Sequence, residues 1–206
     1  AYIVGLTSST NLPVVNAAQP TKGSGTSNDF YVGKISPDTG STLLFLTYLG
    51  GSGKDGFESD VDGRGEIALD PSNNIYIVGR TESTDFPVKN AFQNSYSGAS
   101  DAFIVKYNSA GEKEYATYLG GSAAEFPHGI AADPSGAVYL SGYTSSSDFP
   151  VTPHVFQETM NSGVNNGFLT KLNYTGKSLD YSTFYGGKTA NDKGGFGIAL
   201  DELGNA

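Results

Sequence analysis

The sequence contains no cysteine and no tryptophan, one methionine, and only 16% charged residues. Without cysteine there is no disulfide, no thiolate metal site and no cysteine nucleophile. Acidic residues outnumber basic ones by 21 to 12, which gives a formal net charge of −9. This charge argues against a nucleic-acid partner, because phosphate binding depends on Lys and Arg. No apolar run reaches the roughly 18 residues of a membrane-spanning helix, so we expect no membrane insertion.

Glycine and aromatic residues are abundant instead. The 206 residues include 28 Gly, 13 Tyr and 12 Phe, a composition typical of short strands joined by tight turns rather than of helices. A chain of this length can bury a sizeable core. The composition therefore favours an all-β fold.

The main feature of the sequence is an internal repeat. Several motifs return in the same order, with copies about 65–72 residues apart. Because every motif keeps its place in the order, chance is a poor explanation. The copies are Ile67-Ala-Leu-Asp, Ile130-Ala-Ala-Asp and Ile198-Ala-Leu-Asp; Tyr2-Ile-Val-Gly, Tyr76-Ile-Val-Gly and Tyr139-Leu-Ser-Gly; Asp29-Phe-Tyr-Val-Gly-Lys, Asp101-Ala-Phe-Ile-Val-Lys and Asn166-Gly-Phe-Leu-Thr-Lys; and Thr47-Tyr-Leu-Gly-Gly, Thr117-Tyr-Leu-Gly-Gly and Thr183-Phe-Tyr-Gly-Gly.

Each unit holds four strand candidates, which we label a to d. In the second unit they span about residues 65–70, 74–81, 101–108 and 113–119. The short a–b and c–d links require antiparallel neighbours, so each unit is predicted to be a four-stranded meander. Strands b and c carry near-continuous apolar runs, the pattern of strands covered on both faces. Since the blades of a β-propeller are sandwiched in this way, we predict three propeller repeats, with Phe103 buried between blades.

The b–c connection is patterned too, because Ser83-Thr-Asp-Phe-Pro-Val is echoed by Ser146-Ser-Asp-Phe-Pro-Val. Together with the four motifs above, this pattern resembles the bacterial and archaeal seven-bladed β-propeller (SBBP-type) repeat family over nearly the whole chain. The resemblance implies a propeller that is usually part of a large secreted or surface-attached protein, without a shared enzymatic activity. The chain departs from the pattern in the first unit, which has Asn11-Leu in place of Asp-Phe, and in the third unit, which has Asn166-Gly in place of Asp-Ala.

We expect one propeller array over residues 1–206. The first blade contributes strands b, c and d within residues 1–62, the second and third blades span 63–126 and 127–195, and residues 196–206 supply strand a of a further or strand-exchanged blade. Closed propellers have about four to eight blades, so three blades do not close alone. The expected partners are therefore other blades of a longer chain, or copies of this chain joined through the split blade.

Acidic residues are predicted on the face formed by the longer b–c and d–a connections, where a rigid fold presents its functional loops. These loop-face acids are Asp85, Asp148, Glu125 and Asp192. One hypothesis is that they provide oxygen ligands for a hard cation such as Ca²⁺. The other is that Asp85 and Asp148 accept backbone N–H bonds beside the proline and shape the turn.

One segment begins like an EF-hand calcium loop, with Asp60 and Asp62 at its first and third positions. Arg64 occupies the fifth position and Pro71 the twelfth, where an EF-hand has a bidentate Glu, so an EF-hand is excluded. The carboxylates of Asp55, Asp60 and Asp62 still predict a weak Ca²⁺ site, the only cofactor that we expect. A solvated turn is the alternative.

No catalytic residue is predicted. His128 and His154 do not recur, and the sequence has neither a nucleophile elbow nor a His cluster with metal spacing. We therefore predict a non-catalytic extracellular or cell-surface propeller, acting as a structural scaffold or as an adhesion module that binds protein or glycan at its loop face. Two alternatives stay open: a hydrolase or lyase acting on polysaccharide through loop-face carboxylates, and a structural subunit that polymerises through the split blade.

Overall fold

A computed structural model of the protein describes residues 1–38, 40, 42–56, 65–161, 165–187, 192, 194, 197–201 and 204–206. Within these ranges the chain forms three antiparallel sheets and no helix, and hence no helix that could cross a membrane. The strands are β1 Tyr2–Thr7, β2 Asp29–Ile35, β3 Leu43–Leu49, β4 Glu66–Leu69, β5 Ile75–Thr81, β6 Asp101–Tyr107, β7 Lys113–Leu119, β8 Glu125–Ala132, β9 Val138–Thr144, β10 Asn166–Leu172 and β11 Leu179–Tyr185.

Each sheet is a meander, in which strands adjacent in sequence are adjacent in space. The first sheet has the order β1-β2-β3, the second β4-β5-β6-β7 and the third β8-β9-β10-β11. The four strands predicted for the second unit are confirmed as β4 to β7, with ends within one residue of the prediction. The register repeats as well: across the b, c and d strands the partners are Gly5, Tyr31 and Tyr48, then Gly79, Phe103 and Tyr118, then Gly142, Phe168 and Phe184.

The second sheet is covered on both faces. Every residue of β6 and all but one of β5 are buried, because Phe30 and Val32 of the first sheet pack on one side while β8 packs on the other. The near-continuous apolar runs of these strands are explained by this double cover. Stacked antiparallel meanders of this kind are the blades of a β-propeller, and the predicted all-β propeller fold is confirmed.

Aromatic rings fill the space between the first two sheets. Phe103 is 0% exposed, as predicted; its ring meets Phe30 of the first sheet edge-on, with 5.1 Å between centroids, and stacks on Phe86 at 4.6 Å. Phe86 belongs to the Asp-Phe-Pro motif, and the motif's second copy repeats the contact, with Phe149 stacked on Phe168 at 4.6 Å. The motif therefore folds the b–c connection back over strand c and leaves the preceding aspartate at the loop face.

The a–b turns are built alike in all three copies. Asp70 accepts hydrogen bonds from the backbone N–H of Ser72 and Asn74, an arrangement that fixes a tight turn. The fourth residue of each turn has a positive φ, which Gly and Asn tolerate better than other residues. These φ angles are 62° at Asn73, 85° at Gly136 and 80° at Gly204.

The last segment, residues 196–206, is predicted to supply strand a of a further or strand-exchanged blade. No strand is assigned in its described residues, 197–201 and 204–206. A strand needs a ladder partner for its N–H and C=O groups, and no described strand pairs with this segment, so this strand a stays a prediction. One contact of this segment with the third sheet repeats a contact between the second and third sheets. The Tyr139 hydroxyl donates to the Gly204 carbonyl (2.8 Å), as the Tyr76 hydroxyl donates to the Gly136 carbonyl (3.3 Å).

Candidate functional site

The predicted loop-face acids lie where one sheet passes to the next. At each of these points, which we call junctions, the connection that follows strand d runs beside the start of strand c and the end of the next strand b. The first junction comprises Asp29, Gly51, Asp55, Thr81 and Ser83. The second junction comprises Asp101, Gly121, Glu125, Thr144 and Ser146.

Each junction is centred on a buried acid. Asp55 is 0% exposed, and its carboxylate accepts hydrogen bonds from the Gly51 backbone N–H (2.7 Å) and from the hydroxyls of Ser83 (2.8 Å) and Thr81. These three donors replace the water that a carboxylate loses on burial. The predicted Ca²⁺ ligand Asp55 therefore faces the interior.

Glu125 occupies the same place in the second junction. It was expected on the loop face, but it is the first residue of β8 and is fully buried. The prediction was wrong because three donors compensate the carboxylate inside the fold, which the sequence does not reveal. They are the Gly121 N–H (3.2 Å), the Thr144 hydroxyl (2.7 Å) and the Ser146 hydroxyl (2.6 Å).

Asp85 and Asp148 lie at the exposed rim of the two junctions. Asp85 accepts hydrogen bonds from the backbone N–H and the hydroxyl of Ser52, at 2.7 and 2.9 Å, and Asp148 accepts the same pair from Ser122, at 2.8 and 2.9 Å. These bonds, led by the one from the backbone, hold the pKa of both carboxyls below the usual value. Both acids therefore accept a backbone N–H bond, but the donor belongs to the preceding unit and not to the turn beside the proline. These bonds join consecutive units.

A second buried acid in each junction was missed by the sequence reasoning. Asp29 and Asp101 begin strand c and are both 0% exposed. Asp29 accepts the Gly23 N–H at 2.8 Å and lies 3.5 Å from the Lys22 ammonium. The available signal was an Asp at the first position of the strand c motif in two of the three copies; only the fold shows that this position is enclosed.

The third copy carries a modified junction. Asp192, the last of the predicted loop-face acids, is half-buried and accepts the N–H of Gly187, as Asp55 and Glu125 accept theirs. Its backbone N–H donates to the Asn165 carbonyl at 3.2 Å. Asn166 stands where the other two junctions have a buried aspartate.

Burial raises the pKa of the enclosed junction acids. Loss of hydration raises the pKa of Asp55 to about 6 and that of Asp101 to about 8. The same cause raises the pKa of Asp29 and Glu125. Each of the first two junctions therefore combines two buried carboxyl groups of raised pKa with an exposed carboxylate at the rim.

The structure describes only part of the predicted calcium site. Asp60 and Asp62 lie outside the described residues, so the weak Ca²⁺ site stays a prediction. Among the residues that are described, no group of three or more His, Cys, Asp or Glu side chains is arranged to hold a metal ion.

The recurring lysines of strand c make internal contacts. Lys106 forms an ion pair with Glu114 at 2.9 Å and Lys171 with Asp133 at 3.3 Å, and each ammonium lies over the ring of a strand b tyrosine. The two histidines differ from each other in setting: His128 is buried beside the Tyr143 ring, whereas His154 is exposed.

Comparison with known proteins agrees with this architecture. Residues 44–87 and 114–150 match the family model of the SBBP β-propeller repeat. These two stretches carry SBBP-type β-propeller repeats. It is also similar to an uncharacterized WD repeat-containing protein of Acanthamoeba polyphaga mimivirus, with 30% identity over 94 residues, covering 42% of this chain but 7% of that protein.

Both SBBP matches run from strand d of one sheet to the Asp-Phe-Pro motif of the next, and each therefore spans a junction. The first match contains Asp55 and Asp85, and the second contains Glu125 and Asp148. Three of the four acids predicted at the loop face, Asp85, Glu125 and Asp148, thus belong to the repeat that builds the propeller.

Proposed function

We propose that the chain is part of a non-catalytic β-propeller outside the cell, where it acts as a structural scaffold or as a module that binds protein or glycan. The main support for this proposal is the structural role of the recurring acids. Asp85, Asp148 and Glu125 each accept hydrogen bonds that join neighbouring units. A catalytic carboxylate must reach substrate, and Glu125 is enclosed.

The b–c connections are held as firmly as the junctions. The Tyr118 hydroxyl donates to the Ser83 carbonyl at 2.7 Å and accepts the Phe86 N–H at 3.0 Å, and Thr117 accepts the Gln93 N–H at 2.9 Å. A loop that is already ordered loses little conformational freedom on binding. This supports a rigid platform whose exposed loop residues select the ligand.

The proposed location and ligand class have separate grounds. The extracellular setting rests on the resemblance to SBBP-type proteins, which are usually secreted or attached to the surface. The net charge of −9 disfavours polyanions, because like charges repel at long range. Neutral glycans and proteins with basic patches are therefore the proposed ligands.

The experiment is a panel of neutral glycans, uronic-acid polysaccharides and surface proteins, assayed in parallel for binding and for product release. The proposal expects saturable binding to one class, with no product formed. Asp148→Asn provides the decisive comparison, because it removes a loop-face charge but keeps the shape. Release of product that stops in Asp148→Asn or Asp85→Asn would instead establish the polysaccharide hydrolase or lyase alternative.

A further inference from the structure

The second junction contains a buried oxygen atom without a donor. Asp101 is 0% exposed. Its Oδ2 accepts hydrogen bonds from the Ser97 backbone N–H (3.1 Å) and from the Gln93 side-chain amide (2.9 Å). Its Oδ1 is enclosed and has no hydrogen-bond partner. A buried acceptor without a donor is unfavourable, and more so when it is charged.

The same oxygen borders the other buried acid of the junction. A side chain placed on Gly120 would lie 2.6 Å from Asp101 Oδ1 and would also collide with Glu125 Oε2. Both carboxyl groups therefore border one small space that only a glycine leaves open. Two negative charges so close together, and out of water, repel strongly.

We propose that Asp101 carries a proton at neutral pH and donates it from Oδ1 to Glu125, so that one shared proton fastens the second sheet to the third. The donor then belongs to β6 and the acceptor to β8. The proton supplies the missing partner of Oδ1 and leaves a single negative charge, which the donors around Glu125 already stabilise. Burial, with the Glu125 charge as a smaller cause, raises the pKa of Asp101 to about 8.

In the first junction a cation compensates the charge of the buried aspartate. Asp29 stands in the place of Asp101, and its Oδ1 also lacks a hydrogen-bond donor, but the ammonium of Lys22 lies 3.5 Å from this oxygen and compensates the charge. Lys22 comes directly before Gly23, whose backbone N–H donates to Asp29. The residue before the corresponding N–H donor is Tyr96 in the second unit and Met160 in the third. The second unit therefore keeps the buried aspartate but lacks the lysine.

In the third junction a neutral amide takes the place of the buried carboxyl group. The Oδ1 of Asn166 accepts the Asn161 N–H at 2.8 Å, so its Nδ2 points to the other side. A side chain on Gly186 would lie 2.6 Å from Asn166 Nδ2 and 3.0 Å from Asp192 Oδ2. An N–H donor, which also bonds to the Asn165 carbonyl at 2.9 Å, thus occupies the position of Asp101 Oδ1 and lies beside the equivalent acid. Asparagine is the neutral isostere of a protonated aspartate, which is what the second junction requires.

The other ionisable groups around Asp101 do not provide the compensation. Tyr96 approaches from the b–c connection and Tyr118 from β7; burial raises the pKa of both, to about 12 for Tyr118, so both are neutral. Arg80 of β5 donates to the Ser100 hydroxyl and stacks on the Phe126 ring. Asp148, exposed at the rim, adds negative charge near Glu125. In the described part of the chain, no Lys, Arg or His forms an ion pair with Asp101.

The shared proton makes this junction sensitive to pH. In the unfolded chain an aspartate ionises at about pH 3.9, whereas folded Asp101 keeps its proton up to about pH 8. Between these values unfolding releases the proton, so the unfolding constant rises about tenfold per pH unit from this group. Its contribution to stability is complete below about pH 4 and is lost as the pH rises through about 8.

The test compares the wild type with Asp101→Asn, which copies the third junction, and with Asp38→Asn as a matched control at an exposed acid outside the junctions. Urea denaturation between pH 5 and 8 gives the unfolding constant of each protein. We expect the rise with pH to be shallower in Asp101→Asn by about one proton, a factor of about ten per pH unit, and unchanged in Asp38→Asn. An Asp101→Asn protein with the full wild-type pH dependence would overturn the proposal.

A second measurement decides the case even if Asp101→Asn folds poorly. In the wild type at pH 7, carboxyl-labelled aspartate gives separate signals for neutral and ionised groups in infrared or carbon NMR spectra. We expect the Asp101 signal, identified by its absence from Asp101→Asn or Asp101→Ala, to be that of a neutral acid that ionises near pH 8. An Asp101 carboxyl that is already ionised at pH 7 would contradict the shared proton.

Discussion

Replacement of Phe103 by alanine is a direct test of how the sheets pack. The ring is 0% exposed and lies between Phe30 of the first sheet and Phe86 of its own b–c connection. Removal of a buried Phe ring typically costs about 3–5 kcal/mol, from lost transfer free energy and from the cavity that remains. Since two aromatic partners lose their contact at once, we expect the loss of unfolding free energy to fall within that range.

Urea denaturation followed by circular dichroism provides the assay. With a slope near 2 kcal/mol per molar urea, a loss of this size lowers the midpoint by about 2 M. Phe156→Ala is the matched control, because Phe156 is 86% exposed and its removal should change stability by less than about 0.5 kcal/mol. A loss below about 1 kcal/mol for Phe103→Ala, or equal losses for both variants, would refute the packing described here.

Two further predictions address the b–c connection and the predicted calcium loop. Tyr118→Phe should cost about 1–3 kcal/mol by thermal or urea denaturation, because it removes the nearer acceptor of the Phe86 N–H (3.0 Å, against 3.5 Å for the Ser83 carbonyl) and the hydroxyl that donates to Ser83; a neutral result would show that this hydroxyl does not hold the connection. Millimolar calcium should raise the melting temperature slightly if the loop binds it, and Asp60→Ala combined with Asp62→Ala should abolish that rise; an equal rise in the double variant would leave the solvated turn.

The strands and their order could be predicted because the sequence repeats them. A single short apolar run does not distinguish a strand from a buried helix turn, but three copies with the same turn residues at the same places do. Phe103 was predicted correctly for the same reason: its neighbours in β6 form a continuous apolar run, which requires cover on both faces.

The junctions could not be predicted to the same degree. The sequence places Glu125 after a Gly-Gly pair, where an exposed loop is the ordinary expectation, and its burial depends on hydroxyls about twenty residues further along, at Thr144 and Ser146. The environment of Asp101 depends on Glu125 in the same way. Distances between side chains of different strands set the cost of burying a charge, and these distances exist only in the folded chain.

We conclude that the recurring acids serve to join the sheets. In the structure the backbone N–H groups of Gly51 and Gly121 donate to the buried carboxyls of Asp55 and Glu125. Amide hydrogen exchange resolved by NMR measures this directly, because an amide in a closed, hydrogen-bonded site exchanges only when that site opens. We predict that both glycine amides are protected to a similar degree as the amides of β5 and β6. Exchange of both at the rate of an unstructured peptide would contradict the claim.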